Sequence, residues 1–406
     1  MAPGPDTHPI LSIVADDLAG AADTAAQAAS VERPALVSLG LRPSWLPNNA
    51  ATASAWAIDA DCRHSKPGGC AARIDDAFGQ LNRIPGGTPY LKLDSTLRGN
   101  VGAALEAAHD RWGRIAVVLA PAFPERGRTV VGGVLLVDGR PVAETEIARD
   151  SAAPVTVSEV AGIARLQWEC RSAAFNPRDF DSPEELAASL ARAIYDDFQL
   201  LVMDSQSPED LQIIAAALDD EKLQYEWPGL LPAGSAGLAR GFAAVAGVGP
   251  PTHPPSPATR SGVLALIGSR TQAAAAQIQA LERAGVDCMA GDSPDAIERA
   301  THSLTGGAPT AITPGQANHG SVASVAAEVV TRCGSCGLVL SGGATARRLC
   351  EMIRMRHMWI AGELQPGVAA GHAVTPDSEE IPLVIKGGAA GNAYAVLEAI
   401  SWIRGA

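Results

Sequence analysis

Two short segments in the first hundred residues carry charged side chains that could bind a ligand or move a proton. ADDLAGAADTA places Asp16 and Asp17 at the end of an apolar run, and Asp23 follows about two helical turns later. Paired carboxylates can bind hydroxyl groups, hold a metal ion or accept a proton, although one of them could simply cap a helix. KLDSTLRGN sets Asp94 between two cations, an arrangement suited to a site or to a surface salt bridge.

Further cations follow other apolar runs. DCRHS supplies Arg63, and PAFPERGR supplies Arg128 after a loop bounded by prolines. Because arginine binds a carboxylate through two parallel hydrogen bonds, several cations of this kind favour a small carboxylate ligand over a neutral sugar.

Three glycine-rich turns in the second half suggest a phosphate site. They are IGSRT, SGGAT and KGGAAG, at residues 267–271, 341–345 and 386–391, and each lies between an apolar run and an Ala-rich stretch. Backbone N–H groups at a helix start attract anions, and glycine allows a phosphate to approach closely. One such turn would be ordinary, but three together predict phosphate binding, with Lys386, one of four lysines, neutralising charge. Neither GxGxxG nor GxxxxGK[ST] is found, which argues against a dinucleotide dehydrogenase and a P-loop enzyme.

Short apolar runs alternate with Ala-rich helical stretches, which predicts βαβ units and mainly parallel sheets. The carboxyl ends of parallel strands form the ligand edge of such a sheet. We therefore expect Asp16, Asp17, Asp61, Lys92 and Asp94 to converge there. VGGVLLVDGRPV differs, because its Asp-Gly pair between apolar runs predicts a β-hairpin.

The predicted fold is α/β, with two α/β domains and a ligand crevice between them. The Pro-rich stretch 247–260 reads as a linker between a first domain at 1–246 and a second at 261–406. A length of 406 residues also favours two cores over one.

Composition limits the partners. A net charge of −13 argues against nucleic acid. The first ten residues lack the basic and apolar regions of a signal peptide, and no apolar run approaches roughly 18 residues. A cytoplasmic protein without membrane contact is therefore expected.

The seven scattered cysteines agree with a reducing compartment. The single CxxC at Cys333 and Cys336 is interpreted as helix-end packing, with a metal or redox role as the alternative.

The motifs together resemble the four-carbon acid sugar kinase family. The similar segments occur in one order between Ala15 and Gly391: ADDLAGAADTA, KLDSTLRGN, PAFPERGRTVVGGVLLVDGRPV, LPAGSAGLA, SGGAT, ELQPGV and KGGAAG. The resemblance implies that the N-terminal domain binds a tetronate, that the C-terminal domain binds ATP, and that Mg²⁺ is required.

The resemblance also assigns residues. Sugar-acid binding falls on Asp16, Arg63, Lys92, Arg98 and Asn100, with Asp17 and Asp94 as catalytic candidates. ATP binding falls on Ser269, Gly342, Gly343, Ala344, Thr345, Lys386, Gly387 and Gly388, and no residue is assigned to a metal. The chain departs from the family pattern where Ala19 replaces Thr, Ala344 replaces Glu, and Ala389 and Ala390 replace Asn-Phe. At SGGAT and KGGAAG, ATP is therefore expected to bind through backbone groups.

The expected reaction is ATP-dependent phosphorylation of the terminal hydroxyl, O4, of a tetronate, with D-threonate favoured over erythronate, L-threonate and 3-oxo-tetronate. Asp17 is the expected base and Asp94 the residue that orients the hydroxyls. Two alternatives stay open: a hydroxy-acid dehydrogenase, and a non-catalytic sugar-acid sensor in which the nucleotide side has decayed.

Overall fold

The structure is a computed structural model that describes the chain except for residues 1–7, 41–46, 48, 49, 82–85, 114, 151, 260, 316–318, 335, 376, 378 and 406. Its strands are β1 Leu11–Ala15, β2 Ala35–Ser38, β3 Ala55–Asp59, β4 Thr88–Lys92, β5 Val117–Ala120, β6 Arg128–Val131, β7 Val134–Val137, β8 Arg140–Pro141, β9 Ser172–Phe175, β10 Leu200–Met203, β11 Leu231–Gly234, β12 Val263–Ile267, β13 Asp287–Ala290, β14 Thr310–Thr313, β15 Gly337–Ser341, β16 His357–Gln365, β17 Val368–Val374 and β18 Glu380–Lys386.

Helices follow most of the parallel strands. They are α1 Leu18–Ala26, α2 Pro67–Leu81, α3 Val101–Arg111, α4 Val160–Arg165, α5 Pro183–Tyr195, α6 Pro208–Leu218, α7 Glu221–Glu226, α8 Ala236–Val245, α9 Gln272–Arg283, α10 Ala296–Thr305, α11 His319–Cys333, α12 Gly343–Met352 and α13 Ala395–Arg404. Several begin at side-chain caps that the sequence supplies. Ser207, for example, accepts a bond from the Asp210 amide and opens α6 with a capping box.

Contacts divide the chain into two compact units. The N-terminal unit contains the residues up to Asp16 and Ser54–Pro250, and the C-terminal unit contains Asp17–Ala53 and the residues from Pro251 onward. The boundary therefore falls between Asp16 and Asp17, so the first acidic motif contributes one carboxylate to each unit. The segment Asp17–Ala53, which the sequence-based division put with the first domain, packs in the C-terminal unit.

The N-terminal unit is built on seven parallel strands in the order β3-β1-β4-β11-β5-β10-β9. Every residue of β1, β3, β5, β10 and β11 is buried, as expected for strands covered by helices on both faces. The predicted hairpin is confirmed as β6-β7-β8, with Asp138 and Gly139 both at positive φ in the turn.

The C-terminal unit has a mixed sheet. Strands β13-β14-β12-β15-β18 are parallel, and β17, β16 and β2 extend this sheet in antiparallel register. Its apolar core joins β12, β15 and β18 to helices α9 and α13. Antiparallel β16 and β17 depart from the parallel arrangement that the alternating apolar runs predict.

The described part of the predicted linker, 247–259, contains no helix or strand, and the unit boundary at Pro250 falls within it; Arg260 lies outside the described residues. All seven cysteines are free thiols. Among the helices that the structure describes, none combines the length and the apolar character needed to cross a membrane.

Candidate functional site

Three neighbouring strands bring the first group of candidate residues together. In register, Ala15 of β1 lies opposite Asp59 of β3 and Lys92 of β4, so Asp16 emerges between the ends of its two neighbours. The predicted convergence of Asp16, Lys92 and Asp94 at this sheet edge is confirmed by these strand ends and by Arg63, which is an ion-pair partner of both aspartates. Asp61 instead pairs with Arg73 at the surface.

Asp16 and Arg63 form a two-point ion pair. Arg63 Nε donates to Asp16 Oδ2 at 2.7 Å and Nη2 donates to Oδ1 at 2.8 Å. The Asp16 backbone carbonyl also accepts from the amides of Cys62 and Arg63, so the loop after β3 is fixed to the end of β1. Arg63 was predicted to bind the sugar acid. In the structure its guanidinium binds the Asp16 carboxylate through two hydrogen bonds.

Asp94 links two arginines. Arg98 Nε and Nη2 donate to its carboxylate at 2.7 and 3.1 Å, and Arg63 Nη1 lies 3.9 Å from Oδ1. Burial alone would raise the pKa of Asp94, but Arg98 and Arg63 outweigh it and hold that pKa well below its usual range. Asp94 is therefore an ionised hydrogen-bond acceptor. Arg98 Nη1 reaches on to Asp150 at 3.3 Å.

The loop between β4 and α3 needs special backbone geometry to place these groups. Leu97 is buried at φ 55°, and Gly99 has φ 92° with its Cα packed on the Arg63 loop, where an added Cβ would lie 2.7 Å from the Arg63 carbonyl oxygen. Asn100 Nδ2 donates to the carbonyls of Cys62, Arg63 and Ser65, at 3.1, 3.3 and 2.8 Å. In this structure Asn100 thus positions the Arg63 loop.

Lys92 differs from the arginines. Its residue is only 4% exposed, and its ammonium group makes no hydrogen bond or ion pair with any other described residue. A buried cation without an anion is costly, so this geometry suits an anionic ligand. Nearby, Arg128 has a buried Nε with no partner in the described part of the chain, and burial together with Arg126 lowers the pKa of its guanidinium.

The three glycine-rich turns converge in the C-terminal unit. They follow β12, β15 and β18, which are adjacent in the sheet. An added Cβ at Gly268 would collide with Thr345, and one at Gly388 would collide with Ser269, so small residues are required where the turns meet. Gly342, at φ 104°, caps α12 close to the Ser269 amide. Helix α12 begins at Gly343, so backbone N–H groups of its first turn are available at this edge.

Lys386 lies beneath these turns. It is completely buried, and its Nζ donates to Gln277 Oε1 and Ser341 Oγ, both at 3.0 Å, and approaches the Gly388 carbonyl at 3.5 Å. This lysine therefore ties the ends of β15 and β18 to α9. Gln277 also donates to the carbonyls of Ala390 and Asn392, which fixes the third turn.

Asp17 belongs to this second cluster. Its Oδ1 accepts the Gly20 amide at 2.9 Å and so caps α1, while its Oδ2 lies against the Cα of Gly343, where an added Cβ would collide with it. The helix-cap interpretation and the catalytic interpretation are therefore compatible, because one oxygen caps the helix and the other faces the second glycine turn. Asp23 is buried within α1.

Several residues of the two clusters were not identified from the sequence. Asp150, Thr96, Gln277 and Ser341 each hydrogen-bond to a predicted site residue. Thr96 lies within the motif KLDSTLRGN and Ser341 within SGGAT, whereas Asp150 and Gln277 lie outside the motifs and could not be assigned without the fold. In the described residues, no group of three or more His, Cys, Asp or Glu side chains is arranged to hold a metal ion.

Comparisons with known proteins give one family-model match in each half of the chain. A model described as the sugar-binding N-terminal domain matches residues 11–242, and one described as the nucleotide-binding C-terminal domain matches residues 268–396. The first match includes Asp17–Ala53, which the structure packs with the C-terminal unit.

Some relatives match over nearly the whole of this sequence. D-threonate kinase from Bordetella bronchiseptica is 30% identical over 98% of both chains, and D-erythronate kinase from Heliobacterium modesticaldum is 27% identical over 96% of both. A solved structure from Salmonella typhimurium LT2 matches with a TM-score of 0.76 at 21% identity, covering 96% of this chain and 98% of that one, which supports the fold. A Bordetella bronchiseptica crystal structure with bound citrate is 29% identical, with a TM-score of 0.51, covering 98% of this chain and 99% of that one.

Two adjacent glycines provide a matched test of the converging turns. Gly388→Ala would place its methyl group against Ser269, whereas Gly387→Ala meets no atom within 4 Å. We expect Gly388→Ala to lower the free energy of unfolding by about 1–3 kcal/mol and Gly387→Ala to change it by less than about 0.5 kcal/mol. Urea unfolding of both variants measures this, and equal stabilities would show that the turns do not pack in this way.

A second test concerns Asp94. Asp94→Asn leaves Arg63 and Arg98 without their shared anion and should lower the free energy of unfolding by about 3 kcal/mol at pH 7. Because the folded-state pKa of Asp94 is depressed, its contribution is present above about pH 4 and is lost as the pH falls through that lower pKa. The curves of parent and variant should therefore converge in acid. The exposed pair of Asp61 and Arg73 supplies the control, since Asp61→Asn should cost less than about 0.5 kcal/mol at any pH; a similar cost for both variants would contradict the assignment.

Proposed function

Because the chain belongs to the four-carbon acid sugar kinase family, we propose that it transfers the γ-phosphate of ATP to the terminal hydroxyl, O4, of a tetronate, with D-threonate favoured. The hydroxyl oxygen bonds to the γ-phosphorus, the bond to the bridging oxygen breaks, ADP leaves, and the hydroxyl proton passes to a base. The sugar-acid kinase activity follows from the family, and the substrate, the O4 position and the residue roles are the proposal.

The Lys92 ammonium, on a largely buried residue and without a described anion, is the observation that carries the substrate assignment. It lies at the end of β4 with no anion among the described residues. The carboxylate of a sugar acid supplies that anion, and a charge-assisted hydrogen bond of this kind is both short and strong.

The arginines serve chiefly to hold carboxylates in place for the sugar hydroxyls. Asp16 and Asp94 are each bound by an arginine through two hydrogen bonds, and their remaining lone pairs can accept bonds from hydroxyl groups. Because Asp94 is held ionised, it orients a hydroxyl and does not take its proton. Arg63 and Arg98 would therefore influence substrate binding mainly through these aspartates.

ATP would bind to the C-terminal unit through backbone groups. The turns at 268–269, 342–345 and 387–388 offer glycines and N–H groups, which agrees with a pattern that lacks the family's Glu and Asn side chains. Lys386 holds two of these turns from below, so its contribution to nucleotide affinity would come from their shape.

Asp17 is the proposed base. Its Oδ2 lies beside Gly343, at the turn proposed to bind phosphate. Mg²⁺ also fits this chemistry, since the ion is usually bound by one or two carboxylates together with substrate phosphates. Asp17 is the carboxylate at the turn that would bind the ion, which when present would draw negative charge from the phosphates. The role as base and the role as ion ligand are separable by experiment.

The direct test is ADP release with Mg-ATP and a panel of D- and L-threonate, D- and L-erythronate and 3-oxo-tetronate. We expect turnover with a tetronate, fastest for D-threonate. Turnover only with another tetronate would correct the substrate, and tetronate binding without any ADP release would favour the sensor alternative. Identification of the phosphorylated carbon by NMR tests the O4 assignment.

Substitution of Lys92 tests the carboxylate site. Lys92→Met keeps most of the side-chain stem and removes the charge, so tetronate affinity should fall about ten- to a hundredfold. ATP affinity should be unchanged. The control is Lys66→Met, which changes an exposed lysine of the same unit. Calorimetric titration of both variants measures this, and a change within about threefold for Lys92→Met would rule out the assignment.

Substitution of Asp17 tests the base. Asp17→Asn preserves the helix cap, because Asn caps helices as well as Asp does, and should reduce kcat by about 10²–10⁴ while the tetronate still binds. Asp94→Asn should chiefly raise KM. If excess Mg²⁺ restores the rate of Asp17→Asn, the residue is an ion ligand, and a near-normal kcat would exclude both roles.

A further inference from the structure

The first helix, α1, is buried along its whole length in the C-terminal unit. All nine of its residues are buried, and it contacts β2, β16, β17, β18 and α12. Most of them are alanine, leucine or glycine, but Asp23 is a carboxylic acid at 7% exposure. Since a carboxyl group is costly to bury unless its charge or its proton is accommodated, the surroundings of Asp23 must provide for it.

Glu363 of β16 is the group that faces it. The two carboxyl groups are hydrogen-bonded to each other, and Asp23 is buried while Glu363 is half-buried. Glu363 Oε1 also accepts from Gln27 Nε2 at 2.7 Å and from the Gly367 amide at 3.1 Å. Gln27 further donates to the Asp23 carbonyl at 3.1 Å, so one amide side chain joins the end of α1 to β16.

Two hydrogen-bonded carboxyl groups require a proton between them. Burial, and secondly the negative charge of Asp23, raise the pKa of Glu363 to about 8, against the opposing effect of the Gly367 amide and Gln27. The pair therefore retains one proton at neutral pH. Glu398, on the neighbouring helix α13, hydrogen-bonds instead to Gln365, and Gly367 and Gln27 contribute no charge.

The location of the pair connects it to Asp17. Asp17 caps α1 at its start, and Asp23 lies six residues further along the same helix. A helix transmits a shift or rotation at one end to the other, because its hydrogen bonds fix the rise and the angle per residue. The Oδ2 atom of Asp17 lies against Gly343, so a small movement of α1 would move that oxygen relative to the glycine turn.

We propose that Asp23 and Glu363 form a proton-sharing pair that anchors α1 to β16 and thereby positions Asp17 for phosphoryl transfer. The positioning role rests on the proposed function, whereas the proton sharing does not. Glu363 and Asp23 are positioning residues, since neither touches the glycine turns directly. Misplacement by a fraction of an ångström is enough to reduce the rate of such a reaction.

The pair makes kcat depend on pH in a specific way. As the pH rises through about 8, Glu363 loses the shared proton, two adjacent carboxylates repel each other, and α1 is loosened. We expect kcat of the parent to fall about tenfold between pH 7 and pH 9, with little change in the KM for ATP. In Glu363→Gln the amide donates to Asp23 at every pH, so this alkaline decrease should disappear while activity at pH 7 is retained.

Glu398→Gln is the matched control, because it changes an exposed acid near the same strand and should keep the parent's alkaline decrease. An unchanged decrease in Glu363→Gln, or its absence from the parent, would overturn the positioning role. Should Glu363→Gln be poorly folded, Asp23→Asn gives a second variant in which one neutral amide replaces one carboxyl group.

Unfolding of the ligand-free protein separates this proposal from the proposed function. Because the folded-state pKa of Glu363 is raised, its contribution to stability is present below its ordinary pKa of about 4.5 and is lost as the pH rises through about 8. Stability of the parent should therefore decrease relative to Glu363→Gln between these values, and parallel curves would overturn the proton-sharing pair. A parent that turns over no tetronate would overturn the proposed function and the positioning role, while the unfolding series still decides whether the proton is shared.

Discussion

The N-terminal site depends on a chain of alternating charges, beside which the Lys92 ammonium forms no ion pair with any described residue. Asp16, Arg63, Asp94, Arg98 and Asp150 follow one another through ion pairs of 2.7 to 3.9 Å, so each arginine lies between acids. Removing one member would leave a partly buried charge, which is why the loops after β3 and β4 must keep their shape. Lys92 stands beside this chain with no described partner, and the paired arginines make it the cation most available to a ligand.

In the C-terminal site, by contrast with Lys92, the lysine has hydrogen-bond partners within the protein. Its cation, Lys386, is buried, and its Nζ donates hydrogen bonds to Gln277 and Ser341 and approaches the Gly388 carbonyl. The turns above it consist of glycine and small residues. The proposed phosphate recognition by the backbone would tolerate the replacement of family side chains by Ala344, Ala389 and Ala390, since the N–H groups remain. The boundary between Asp16 and Asp17 places the two adjacent carboxylates in different units, one in an ion pair and one at a helix cap beside Gly343.

The strand ends that form the two sites could largely be predicted from the sequence. The strands β1, β4, β12, β15 and β18 are short apolar runs that end in polar or glycine residues, and parallel topology then brings their ends together. The antiparallel pair β16 and β17 was missed because it contains glycines and register shifts that interrupt the alternating pattern. The pairing of Arg98 with Asp150 and of Lys386 with Gln277 was missed because these partners lie 52 and 109 residues away in the chain. For the same reason, no local pattern could show that Lys386 is enclosed by hydrogen-bond partners while the Lys92 ammonium has none among the described residues.

The central claim is that Lys92, and not the paired arginines, binds the carboxylate of the sugar acid. A crystal structure of the protein with D-threonate and a non-hydrolysable ATP analogue tests it most directly. The account predicts a tetronate carboxylate oxygen within about 3 Å of Lys92 Nζ, with the Asp16–Arg63 and Asp94–Arg98 pairs intact. A carboxylate held by Arg63 or Arg98 after these pairs have opened, with Lys92 remote from the ligand, would contradict it.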